Sequence, residues 1–211
     1  MKKNGFTLAE VLIVLAIIGT IAAITLPALM TDTTSAQIGP KLAKAVSMFE
    51  QANEALLNAN SVDTLSDAGL TSSVATYTDE LSRHLKGAAN GATFLTKDGM
   101  LYTYTISAAN PANTSDPGHM QRIGDVTVDI NGSSKPNVDG TDIFYFTWWN
   151  DGSLRPKGAT NWGGELDKEN NYVGGDVTWT SKCPRAENGA VTDYTFCAGH
   201  VFENNLKVLY R

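Results

Sequence analysis

Cysteine is nearly missing from this 211-residue chain: the two present, Cys183 and Cys197, exclude a disulfide-dense scaffold and a cysteine-rich metal cluster. Histidine is equally scarce. His84, His119 and His200 are scattered, and no Ser-His-Asp order, nucleophile elbow or paired metal motif accompanies them, so no catalytic constellation is visible and the chain does not read as an enzyme. Basic residues are outnumbered, 16 Lys and Arg against 22 Asp and Glu, for a formal net charge of -6. Affinity for nucleic acid depends on clustered Lys and Arg releasing counterions, which argues against it as the main partner. Charged residues make up only 18% of the chain and hydrophobic ones 42%, and the apolar content is uneven: a dense block at the start precedes a remainder rich in Gly, Asn, Asp, Ser and Thr. That asymmetry describes an anchor plus one polar globular head, and the length suits one domain better than two.

The apolar block follows Met1-Lys2-Lys3-Asn4-Gly5 and Phe6-Thr7-Leu8-Ala9-Glu10, and from Val11 to Thr31 it holds no charge. At 1.5 Å per residue it forms a helix of about 31 Å, enough to cross the hydrocarbon core of a bilayer. Lys2 and Lys3 predict a cytoplasmic amino terminus, with everything beyond Thr31 on the far side. An ordinary secretory signal has a shorter apolar region followed by a small-residue cleavage site, and a Glu10 near its start fits that pattern poorly. Ionised side chains well inside a bilayer cost about 3 kcal/mol and are usually paired. Glu10 therefore calls for a partner, unless it lies at the level of the lipid headgroups.

The run Gly5-Phe6-Thr7-Leu8-Ala9-Glu10-Val11-Leu12-Ile13-Val14 closely resembles the start of type IV prepilins and of the pseudopilins of type II secretion. The resemblance implies that residues 1–5 are a leader cut off between Gly5 and Phe6 by a membrane-embedded prepilin peptidase, which also methylates the new amine of Phe6. It implies that residues 6–31 form the transmembrane and filament-core helix, and residues 32–211 an extracytoplasmic pilin-like head. Losing Lys2 and Lys3 with the leader takes the net charge from -6 to -8. Glu10 would meet the terminal ammonium of a neighbouring subunit and set assembly register, because a buried charge left unpaired is strongly penalised. Gly19 and Pro27 lie inside the apolar run, and proline removes a backbone donor. Local unwinding between them on entering a filament is what the resemblance implies; a kinked membrane helix accounts for them without a filament. Partners would be identical or related subunits, the peptidase and an inner-membrane assembly platform with its cytoplasmic ATPase. The protein would reside in the inner membrane before assembly and in a periplasmic or extracellular filament after it.

Beyond the anchor, Leu42, Val46, Phe49, Ala52 and Leu56 recur at helical spacing between Lys41 and Asn58. Gly39-Pro40 predicts a break before this segment, as a hinge or a restart with Pro40 in the first turn. A second helix is expected from Val74 to Leu85, followed by turn-rich chain. Asp98-Gly99 between Phe94–Lys97 and Met100–Ile106 predicts a tight hairpin, and further strands are expected at Val126–Ile130, Ile143–Trp149 and Ser153–Arg155. The fold class is α+β: a long amino-terminal helix packed on a small antiparallel meander. Loops between Ile106 and Gly124 and between Pro156 and Gly175 are long enough to carry an interaction surface. Trp148 and Trp149 must point to opposite faces of their strand, which leaves one of them exposed or, with Trp162 and Trp179, part of a partner surface.

In an exported, oxidising compartment Cys183 and Cys197 are expected to pair as a disulfide stapling the carboxy-terminal part of the head. A zinc site from Cys183, Cys197 and His200 is the alternative, but it lacks a fourth ligand and paired cysteine spacing. Asp129, Asn131, Asp139 and Asp142 gather oxygen ligands that could hold calcium, although Gly140 falls where an EF-hand needs its last Glu. The same residue types make turns, and turn formation is the favoured of the two readings. Three functions follow as expectations: a type IV pilus-like filament subunit first, a pseudopilin of type II secretion second, and a membrane-tethered enzyme or binding module third.

Overall fold

The computed structural model describes residues 7–106, 122–159, 165–166, 172–173 and 182–210. The chain divides into two compact units, Met1–Gln37 and Ile38–Arg211. Helix α1, Leu8–Asn60, with Thr7 before it, supplies the described part of the first unit, and α1 is also the first element of the second. Within it Leu8–Thr25 is long and apolar enough to cross a membrane.

In the second unit α1 turns one apolar face to the core. Leu42, Phe49 and Leu56 are 0% exposed, and Val46 and Ala52 are buried beside them, as their spacing predicts. Phe49 stacks on Tyr102 and Tyr104 at 5.7 and 6.0 Å between ring centres and meets Trp148 edge-on at 6.3 Å.

The expected break at Gly39-Pro40 does not occur, because α1 runs through both residues. Gly39 instead makes a notch: a Cβ there would overlap the carbonyl oxygen of Leu206, so the missing side chain lets the carboxy-terminal segment lie against the helix backbone. Pro40 costs α1 one backbone hydrogen bond and sits on its exposed side.

Helix α2, Val74–Leu81, is capped by Ser73, whose hydroxyl accepts from Thr76 N–H at 3.4 Å. It ends four residues short of the expected Leu85, and the chain continues in turns, with Leu85 N–H donating to Leu81 O at 2.9 Å.

Six strands follow in an antiparallel meander whose spatial order is the sequence order: β1 Gly87–Asn90, β2 Thr93–Thr96, β3 Leu101–Ile106, β4 Arg122–Asp129, β5 Ile143–Trp149 and β6 Leu154–Pro156. β2 to β6 answer to the expected strands, β4 beginning earlier than Val126. β1 went unforeseen because Gly-Ala-Ala-Asn has little strand propensity; it is held by pairing with β2. The β2–β3 turn is also one residue longer than a two-residue Asp-Gly turn. Thr96 N–H donates to Met100 O at 2.8 Å, and Lys97, Asp98 and Gly99 form the loop, with Gly99 alone taking a positive φ of 84°. Its Asp98 is met by Lys44 of α1 at 2.7 Å.

The alternate residues Phe94, Tyr102, Val126, Val128, Phe144, Phe146 and Trp148 are all 0% exposed and form the inner face of the sheet. Trp149 falls on the other face but is only 3% exposed, so neither tryptophan of the pair is bare. The Arg155 guanidinium covers the Trp149 ring at 4.4 Å.

Asn53 links three elements in this core. Its amide nitrogen donates to Phe49 O and Gly152 O, both at 3.1 Å, and its oxygen accepts from the Tyr77 hydroxyl at 2.8 Å. By contrast the Tyr104 hydroxyl, also buried, has no hydrogen-bond partner among the described residues. Tyr77→Phe should therefore lower stability by about 2 kcal/mol by stranding Asn53, whereas Tyr104→Phe should be neutral or stabilising by up to about 1 kcal/mol. Denaturant unfolding of the two variants side by side isolates the hydrogen bond from ring packing.

Helix α3, Cys197–Glu203, packs on β5 and β6, and the carboxy-terminal segment returns from it to α1. A second ladder pairs β7 Glu165–Leu166 with β8 Tyr172–Val173, inside the second of the expected long loops. His119, Trp162, Trp179 and most of the two long loops lie outside the described residues.

Candidate functional site

The amino-terminal end of α1 is shaped by Thr7 and Glu10. Thr7 N–H and Thr7 Oγ1 both donate to Glu10 Oε2 at 2.8 Å, and Glu10 N–H donates back to Thr7 Oγ1 at 3.3 Å. This is a capping box: two otherwise unpaired donors of the first turn are satisfied reciprocally, and the carboxylate lies at the positive end of the helix dipole. Thr7 was not among the expected site residues. Its signal, Thr followed three residues later by Glu ahead of an apolar run, is present in the sequence.

Beyond the cap the helix presents apolar side chains all round. Leu8 and Ile24 are 79% and 77% exposed, and Leu12, Ile13, Leu15, Ile18 and Ile21 are exposed as well. An apolar rod of this kind has to be covered by lipid or by protein. Gly19 lies within the helix with open space where a Cβ would be, and α1 passes through Pro27 without interruption. Gly5 and Phe6 lie outside the described residues.

Cys183 and Cys197 are joined by a disulfide with Cα atoms 5.3 Å apart, and both are fully buried. That bond removes the thiolates a zinc site needs, and His200 has other partners: its Nδ1 is 2.8 Å from Cys183 O, and Leu209 N–H donates to Nε2 at 3.3 Å.

Asp129, Asn131 and Asp142 come together at the turn between β4 and β5. Asp142 accepts from the N–H groups of Asn137 and Val138 at 2.7 and 2.6 Å and from Asn131 Nδ2 at 3.1 Å. Asp129 accepts from Asn131 N–H at 3.0 Å. Burial holds the Asp129 carboxyl above its ordinary range, opposed by the Asn131 N–H and reinforced by the nearby Asp142. Asp139 accepts instead from the Tyr145 hydroxyl at 2.9 Å. Among the described residues no three His, Cys, Asp or Glu side chains are grouped to share a metal ion.

A shallow cleft of about 410 Å³ opens between α1 and the β5–β6 turn, lined by Glu50, Glu54, Asp63 and Asp151 with Leu57 and Val62. Burial raises the Glu50 carboxyl, which accepts from Leu154 N–H at 3.2 Å, and Asp151 pushes the same way. Its charged groups are all carboxylates, and the hydroxyl of Ser153, which also lines the cleft, donates to Asp151 Oδ1 at 2.6 Å.

Among the described residues, the amino-terminal helix is the one that exposes a long apolar surface. No solved structure matches the chain. Residues 1–26 match a family model described as the prokaryotic N-terminal methylation motif, and the chain accordingly carries the prepilin signature of type IV pilins and pseudopilins.

Proposed function

We propose that the chain is a structural subunit of a type IV pilus-like filament. It enters the inner membrane as a single-pass prepilin with a cytoplasmic amino terminus, is cut between Gly5 and Phe6, is methylated at Phe6 and polymerises through α1. The carrying observation is the apolar rod, exposed on all sides from Leu8 to Ile24, behind a Thr7–Glu10 cap within the methylation motif. Lipid covers that rod before assembly, and the rods of identical or related subunits cover it afterwards. On this reading residues 6–31 are the filament core and residues 32–211 its surface. The prepilin peptidase and an inner-membrane assembly platform are the partners in between.

Calcium has less support than turn formation at Asp129, Asn131, Asp139 and Asp142. Asp142 already accepts from three donors, so an ion there would compete with the turn's own hydrogen bonds, although Asn131 Oδ1 is buried without a partner among the described residues. We assign these residues to holding the β4–β5 turn.

The same signature serves pseudopilins, so secretion is the second reading. Mass spectrometry of the amino-terminal peptide from sheared surface filaments tests both. A methylated Phe6 terminus in abundant surface filaments supports the pilus. The same terminus confined to the cell envelope, with protein export lost when the gene is deleted, supports the pseudopilus. An intact Met1–Gly5 on functional mature protein overturns both.

A further inference from the structure

Outside the assembly helix, one fully buried imidazole ties together three pieces of chain. His200 is 0% exposed on α3; its Nδ1 meets the carbonyl of Cys183, and Leu209 N–H donates to its Nε2. A carbonyl oxygen can only accept and an amide N–H can only donate, so the proton sits on Nδ1 and Nε2 offers a lone pair. A second proton has only Nε2 to occupy. The cation would lose the bond from Leu209 and set two donors against each other at 3.3 Å.

The surroundings do not favour that cation. Arg185 lies close enough to oppose a positive imidazole, and its guanidinium is engaged by Asn204 Oδ1 at 2.7 Å. The elements packed on α3 are β5, β6 and the 3-10 turn Tyr194–Phe196, which carry Tyr145, Arg155 and Tyr194 as their titratable or charged side chains. On α3 itself the acid is Glu203. From the carboxy-terminal segment Tyr210 meets the imidazole edge-on at 4.9 Å and donates its hydroxyl to Gly140 O at 2.6 Å. Burial, the leading cause, holds the imidazole below its ordinary pKa against the Cys183 bond, and Arg185 adds to it.

Leu209 belongs to the segment that lays Leu206 over Gly39 of α1 and anchors Tyr210 at Gly140. We propose that His200 is a proton-sensitive latch for this strap: the neutral ring keeps residues 205–210 closed over Gly39 and Gly140, and uptake of one solvent proton at Nε2 releases Leu209 and loosens the strap. A folded state that prefers the neutral base is favoured in full above the ordinary histidine pKa of about 6.5, and that preference is lost as pH falls below it.

Amide hydrogen exchange at Leu209 and Tyr210 tests the latch on the full chain in detergent micelles, at about pH 7.5 and about pH 5, with each rate taken relative to its intrinsic value at that pH. Protection should fall roughly tenfold or more in the wild type at the lower pH, since each unit below the unfolded pKa adds a factor of ten until the folded value is reached. His200→Gln, which cannot titrate, should show equal protection at both. Equal wild-type protection, or the same fall in the variant, overturns the proposal. Nitrogen-15 shifts of the wild-type imidazole give a readout that needs no variant: an Nδ1–H tautomer at neutral pH supports the latch, and an Nε2–H tautomer sinks it.

Discussion

If α1 assembles as proposed, replacing Glu10 with Ala leaves the precursor in the membrane with its leader removable and reduces filament yield by roughly tenfold or more, because on that reading a neighbour's terminal ammonium is then buried without its counter-charge. Insertion itself becomes easier when a carboxylate is taken out of the apolar run. The capping box complicates a single substitution, since the same side chain closes the first turn with Thr7. Two further variants separate the roles. Glu10→Gln keeps a side chain able to complete a capping box but removes the charge. Thr7→Val removes the hydroxyl half of the cap and keeps the charge. If intersubunit charge pairing controls assembly, Glu10→Gln behaves like Glu10→Ala, and Thr7→Val assembles far better than either. Electron-microscopic counts and sheared yields, normalised to processed protein, check this ordering; wild-type yield from Glu10→Ala would remove the carboxylate from the assembly mechanism.

The second large effect belongs to the disulfide. Cys183 and Cys197 are 14 residues apart, and closing a loop of that size restricts the unfolded chain by about 3 kcal/mol. Both sulfurs are buried, so the suitable double variant is Cys183→Ala with Cys197→Ala, which avoids burying serine hydroxyls without partners. For a chain of this size the loss should lower the melting midpoint by roughly 6–12 °C. Reducing agent should lower the wild-type midpoint similarly and leave the double variant unchanged. An unaltered midpoint would mean that the packing around α3 holds this region without the covalent bond.

Much of the fold was legible because its elements are locally patterned. The spacing of Leu42, Val46, Phe49, Ala52 and Leu56 specified a buried helix face, and a run of aromatic and β-branched residues marked β5 to the residue. What stayed hidden depended on partners distant in sequence. Gly39-Pro40 carries a local breaker signal, and only the Leu206 backbone lying over Gly39 explains why a glycine sits inside a continuous helix. β1 is a strand through its pairing with β2 rather than through its own residues. Trp149 is covered by Arg155, six residues on across a turn, which alternation alone cannot reveal. Of the candidate sites, the amino-terminal segment was legible as a short contiguous motif. The environment of His200, assembled from Cys183, Leu209 and Tyr210, was not.

The meander whose spatial order equals its sequence order has a bearing on biogenesis. Each hairpin can pair as soon as its second strand is available, without waiting for distant chain, and such short-range topologies are quick to form. The notch at Gly39 obeys the opposite schedule. One of the earliest residues of the globular unit is completed by Leu206, far later in the chain, so a product truncated before Leu206 can build its sheet and still leave the helix backbone uncovered at Gly39.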